Sequence, residues 1–187
     1  MLLGYIIFGL LVSLMFGCVS LGNITEEENC GPNPGGETEL YIARKSDVLS
    51  IPAPGVDGVT VSTAIIMKDG KGFAKWDTLI DNSELSHKTV GEVGSQSVEQ
   101  ALEVYIPRAR ATIDSEIQKA INGGFIVISV DGQGQKRIGG DLLRPMTMVH
   151  DYKGGKKNTD KKGTTLQYTS GCGHVPYYYT ATIPVLA

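Results

Sequence analysis

The chain has 187 residues, 41% hydrophobic and 20% charged, with a net charge of −3. That length buries the core of one domain, and the composition is that of an ordinary globular protein. A negative total argues against a protein built to grip nucleic acid, which needs a basic surface. Glycine is the outlier, at 24 residues where average usage gives about 13. Because the glycines flank short β-branched runs, they predict a turn-rich β protein. Charge is also uneven: residues 24–104 hold 14 acids against 6 bases, and residues 105–187 hold 6 against 11. Such a chain suits head-to-tail contact with its own copies, although charges that merely decorate solvated faces would look the same.

Residues 1–22, "MLLGYIIFGLLVSLMFGCVSLG", carry no charged side chain. This is long enough for a membrane-spanning helix or the apolar region of a signal peptide. Gly17-Cys18 has the form of a bacterial lipoprotein cleavage site, but Met15 stands three before the cysteine and no Lys or Arg precedes it. Three readings remain open: an exported protein lipidated at Cys18, a start at Met15, and a membrane anchor. Residues 23–37, with two prolines, three glycines and an acidic run, read as an irregular arm. Residues 38–187 then form a single β-rich domain.

In that domain "TELYIA" reads as a strand and "SDVLSIPAPGVDG" as a loop. "VTVSTAIIM" and "FAKWDTLI" read as a hairpin about Asp69-Gly70. "SELSHKTVGEVGSQSVEQALEVYIPR" is extended and broken at Gly91 and Gly94. Its end sets Val98, Leu102, Val104 and Ile106 on one face and Glu99 and Glu103 on the other. The period then changes. Ile113, Ile117, Ala120 and Ile121, spaced by three and four, predict one helix over about 110–122.

"NGGFIVISVDGQGQKRIGG" tests for a phosphate loop, which must follow a strand and open a helix. Here Arg137 stands where GxGxxG needs its last glycine, and the segment leads into another extended run. It reads as a β-hairpin. "RPMTMVHDY" and "TTLQYTS" are further strands, and "VPYYYTATIPVLA" is a β-rich tail. The expectation is a mainly β fold, a sandwich or open barrel of about 7–9 strands with one flanking helix.

Side chains with reactive chemistry are scattered. His87, His150 and His174 lack metal-site spacing, and Cys172-Gly-His174 supplies only two ligands of a metal set. Neither Cys30 nor Cys172 has a local nucleophile signature, and Ser86 and His87 are adjacent, so on a strand they point to opposite faces. Three cysteines do not make a disulfide framework. Cys30 and Cys172 are a pair or two free thiols, and nothing else marks a disulfide-stabilised fold. No cofactor, metal or small-molecule substrate is expected, and no enzyme is required. Lys153, Lys156, Lys157, Lys161 and Lys162 cluster about one loop without arginine or interleaved aromatics. They predict a solvated hairpin or a loop meeting the acidic half of a neighbour. Tyr177 and Tyr179 share one strand face and Tyr178 takes the other, as in a packed terminal strand with one exposed tyrosine.

The Cys-Gly-Pro-Asn-Pro-Gly-Gly arm and the order that follows it resemble a phage family. That order is "ELSHKTVGEVGSQSVEQALEVYIPR", a helix, "GGFIVISVDGQGQKRIGG", "GKKNTDKKGTTLQYTS" and an aromatic tail. The chain resembles, over residues 23–187, the tail-tube-like virion structural proteins of tailed phages and prophages of Bacteroidetes-type bacteria. The resemblance implies a β-sandwich or open barrel whose copies form rings, usually hexameric, stacked into a hollow tube. DNA would pass through transiently, and other tail proteins would be partners in the virion. The uncharged leader departs from that pattern, because a tube subunit needs no export signal. Mass spectrometry of the native N-terminus separates the readings: a diacylated Cys18 supports a surface lipoprotein, whereas an intact Met1 or Met15 removes it.

Overall fold

At the centre lies the run Gly124–Asp131, strand β8, with six consecutive buried residues from Phe125 to Val130. Strand side chains alternate between faces, so a run buried throughout must have a core on each side. The computed structural model, which describes residues 35–78, 82–157 and 159–186, supplies both. Phe125 and Val127 point into one cluster, while Ile126 and Ile128 point into another.

Both edges of β8 are paired. Strand β1 (Glu37–Arg44) runs antiparallel along one edge, setting Leu40 opposite Ser129 and Ile42 opposite Val127. Its other edge takes β9 (Lys136–Gly139) opposite Val127–Val130 and the start of β10 (Met146–Lys153) opposite Phe125 and Gly124. The chain leaves β9 through Gly140, whose φ of +77° and close approach to Met146 exclude a side chain. It makes an excursion over residues 140–145 and rejoins the same edge as β10.

Beyond Thr147, β10 departs from β8 and begins a second layer. It pairs with β11 (Gly163–Ser170), which pairs with β7 (Ser97–Pro107), which pairs with β6 (Ser83–Val90), all antiparallel. Leu102, Val104 and Ile106 of β7 and Leu166 and Tyr168 of β11 face Leu40, Ile42, Phe125 and Val127. Phe125 and Tyr168 meet edge to face at 6.0 Å. The helix α1 (Ala111–Ala120) buries Ile117 and Ala120 against this core. Arg44 donates to the Lys119 carbonyl, occupying an acceptor in the helix's last turn.

The second core lies on the opposite face of β1, β8 and β9. It is covered by β3 (Thr60–Val61), β12 (Tyr177–Tyr179), Ile65 and Phe73. Asn33–Ala187 makes one compact unit. The fold is thus mainly β with a single helix among the described residues, as expected. Residues 1–22, Cys18, Cys30 and most of the 23–37 arm lie outside the described residues. Glu37, placed in that arm, instead opens β1.

Other expectations differ. Twelve strands are described where 7–9 were expected, because several span only two to four residues. The helix is shorter than 110–122, and Ile121 is exposed beyond it. The 46–58 loop contains β2 (Val48–Ser50). "VTVSTAIIM" is two short strands: β3, parallel to β12, and β4 (Ile66–Met67), which pairs with β2. The turn at Gly70 forms, with φ +69°, but it does not make the expected hairpin. Phe73 exchanges backbone hydrogen bonds with Pro184 and Leu186, and β5 (Ala74–Asp77) pairs with β1. The tail captures the chain as it leaves the turn. Since β8 serves both cores, Ile128→Ala should cost about 2–5 kcal/mol in urea unfolding, against under ~0.5 for Val149→Ala on exposed β10.

Candidate functional site

The sheet β6-β7-β11-β10 turns its inner face into the core along β7 and β11, leaves the inward-parity His87, Thr89, His150 and Tyr152 of the outer strands exposed, and has its outer face in solvent. On the outer face Glu84 stands opposite Glu103, and Lys88 opposite Glu99. Further across come Thr165, Gln167 and Thr169 of β11, paired with Asp151, Val149 and Thr147 of β10. Both lysines on this surface are held by carboxylates, Lys88 by Glu99 at 3.0 Å and Lys153 by Asp151 at 3.1 Å. Gln167 Nε2 donates to Glu103 Oε2 at 3.0 Å. Facing carboxylates at Glu84 and Glu103 oppose pairing, so this face is polar and mildly repels anions.

Both outer strands have open edges among the described residues. β6 pairs only with β7, and β10 beyond Thr147 pairs only with β11. The Leu85 N–H points away from β7 to the Glu37 carboxylate. By strand alternation, His87 and Thr89 turn their N–H groups to the same open side.

Glu37 seals the start of that seam. It is buried against Ser129, and its Oε2 and the Ser129 Oγ lie buried without a partner at bonding distance. Burial raises its carboxyl above the ordinary value. The nearby Ser129 hydroxyl offsets part of this, Asp131 adds to it, and Arg137 and the Leu85 amide oppose it.

The lysine cluster is a hairpin connection, as expected. The Asp160 carboxylate accepts from the Lys156 and Lys157 amides at 2.8 Å each, which holds its pKa down and shapes the loop. Lys161 Nζ reaches Asn82 Oδ1 at 3.3 Å, and the Lys156, Lys157 and Lys162 side chains are exposed. The loop therefore presents positive charge at one end of the sheet.

The structure adds a residue to the Cys172-Gly-His174 fragment. Asp141, from the 140–145 excursion, brings its carboxylate into the same cluster. Nothing in the local sequence announces it, since 31 residues separate it from Cys172. Cys172 is buried and free, and burial first, with Asp141 adding, pushes its thiol up. A neutral thiol is a poor nucleophile. Both His174 nitrogens face other groups, Nδ1 the Val175 carbonyl at 2.8 Å and Nε2 the Asp141 carboxylate at 3.4 Å. His87 and His150 stand exposed on β6 and β10. Tyr179 is buried, with its hydroxyl accepting from the Ile65 amide, while Tyr178 lies outward under Arg137.

Glu37 carries the pH dependence of the seam. A carboxyl raised in the fold favours the protonated native state, so its contribution is lost as pH rises from the ordinary value through the raised one. Glu37→Gln should therefore be more stable than wild type at pH 7.5, with the difference shrinking towards pH 4 in urea titrations. Equal stabilities across that range would remove the buried-carboxylate account.

No protein-family profile, curated protein or solved structure matches this chain.

Proposed function

We propose that this protein is a non-enzymatic virion structural subunit of the tail-tube type, assembling with its own copies into stacked rings around a channel for DNA. The carrying observation is the four-stranded sheet whose outer strands, β6 and β10 beyond Thr147, each pair with one neighbouring strand among the described residues, together with its polar outer face. Its strands alternate in direction, so β6 and β10 run oppositely. When β10 of one copy meets β6 of the next, the strands are antiparallel and the sheet continues unbroken. Such a contact joins unlike surfaces, and repeated by rotation it closes a ring. Closure removes both edges, which otherwise invite uncontrolled pairing.

The outer face then lines the channel. Tight binding to DNA needs cations free to neutralise phosphates, and both lysines on this face are neutralised by carboxylates. Duplex would slide past such a surface without adhering. The lysine hairpin at one end of the sheet gives the stacked ring a positive end, a match for acid-rich segments of the copy above or for other tail proteins.

Negative-stain microscopy of the protein, with and without residues 1–22, tests this at high and low concentration. Rings or tubes with a central hole are expected; small monomeric particles throughout would overturn the reading. His87→Pro removes an amide aimed at the open edge, where proline is tolerated. It should leave the melting temperature within a few degrees of wild type (roughly 1 kcal/mol) and abolish rings.

A further inference from the structure

The cluster of Asp141, Cys172 and His174 has no part in the assembly reading, yet its side chains are held as a metal site holds them. We propose that these three residues bind one borderline divalent cation, Zn²⁺ in the first instance, with water in the fourth position. The carboxylate, thiol and imidazole donor atoms lie within 4.8 Å of one another. Bonds of about 2.0–2.3 Å at tetrahedral angles set donors roughly 3.3–3.8 Å apart. Asp141 Oδ2 and His174 Nε2 are already at 3.4 Å, so the remaining closure is a small movement. A mixed oxygen, sulfur and nitrogen set selects zinc and its neighbours over calcium or magnesium, which prefer oxygen alone.

The partners behind the donors strengthen the case. His174 Nδ1 faces the Val175 carbonyl at 2.8 Å. A carbonyl only accepts, so Nδ1 carries the proton and Nε2 turns a lone pair towards the carboxylate. Two acceptors 3.4 Å apart are reconciled by a proton on either group, by a bridging water, or by a metal ion that both bind. The ring itself is fixed by stacking on Tyr177, centroids 4.0 Å apart and 4° from parallel. Asp141 uses Oδ1 to accept from the Leu143 and Arg144 amides at 2.6 and 2.5 Å, leaving Oδ2 for the site. Such outer partners orient metal ligands.

The two loops are also locked in place before any ion arrives. The buried Gln100 amide donates to the His174 carbonyl and accepts from the Gly140 amide, both at 2.9 Å. The Cys172 carbonyl accepts from the Val98 amide at 3.1 Å and from Ser97 Oγ at 3.0 Å. Cys172 Sγ now sits 3.1 Å from Ser170 Oγ and 3.5 Å from the Arg144 carbonyl. On binding, the S–H bond breaks, the proton leaves to solvent, and sulfur donates its pair to the metal. The Asp141 and His174 side chains are 30% and 22% exposed, which gives an ion and its water a way in.

Cobalt is the probe, because a thiolate bound to Co²⁺ gives a near-ultraviolet charge-transfer band. The full chain carrying Cys18→Ser and Cys30→Ser leaves Cys172 as the one thiol. It should take up one Co²⁺ with that band, and Zn²⁺ should displace it. Zn²⁺ at about a hundredfold excess over Kd should raise Tm by roughly 5–10 °C. His174→Gln and Asp141→Asn should each weaken binding by at least the ~10–100-fold that loss of an outer partner costs, and Cys172→Ser should abolish the band. Asp141→Asn keeps an oxygen for the loop amides, so it tests the ligand separately from the turn. Absence of the band, or a band that survives both His174→Gln and Asp141→Asn, would overturn the proposal and leave His174 and Asp141 as an ion pair. Neither result depends on ring formation.

Discussion

Strand β8 imposes the constraint from which the rest of the architecture follows. Its residues from Phe125 to Val130 are all buried, so the strand is stable only with apolar material on both faces and a paired strand along each edge. β1 and β9 meet the edge demand, and β10 extends it. One core is supplied by β7, β11 and the helix; the other by β12, β3 and the segment around Phe73. The covering pieces are short and irregular because each need only bury one side of a sheet already paired through the backbone.

The same arrangement sets a four-stranded sheet apart from the first. β10 begins on β8 and then departs, carrying β11, β7 and β6 away from the first sheet. A barrel would close by pairing β6 along β1. Here only the start of that seam is joined, with the buried Glu37 carboxylate taking the Leu85 amide. A charge in that place costs stability at neutral pH, and among the described residues most of β6 pairs with β7 alone. An edge so exposed is a hazard for a lone molecule and an asset for one that pairs with its copies.

Gln100 links the core to the second feature. It sits on the inward parity of β7 with Leu102 and Val104, where an apolar side chain would otherwise pack. Its amide binds the two loops that carry Asp141 and His174, so the polar cluster is anchored to a central strand of the four-stranded sheet. Loops held by a buried side chain keep their side chains within a narrow range of positions.

Local pattern determined much of this protein by itself. The unbroken run "FIVISV" specified a strand, alternation placed Leu102, Val104 and Ile106 inward and Glu99 and Glu103 outward, and glycines marked a break at Gly91 and Gly94 and a hairpin turn at 132–135. The threefold and fourfold spacing found the helix, and the lysine cluster found a connecting loop. Only tertiary structure decided who pairs with whom. "VTVSTAIIM" and "FAKWDTLI" have every local mark of a hairpin, yet the C-terminal tail and β1 compete for the same backbone groups and win. Asp141 could not be matched to Cys172 and His174, because the excursion after Gly140 brings them together and no period in the sequence encodes it. The one-sided pairing of β6 and β10 among the described residues was equally hidden. An edge is defined by the absence of a partner strand, and that is a property of the whole sheet.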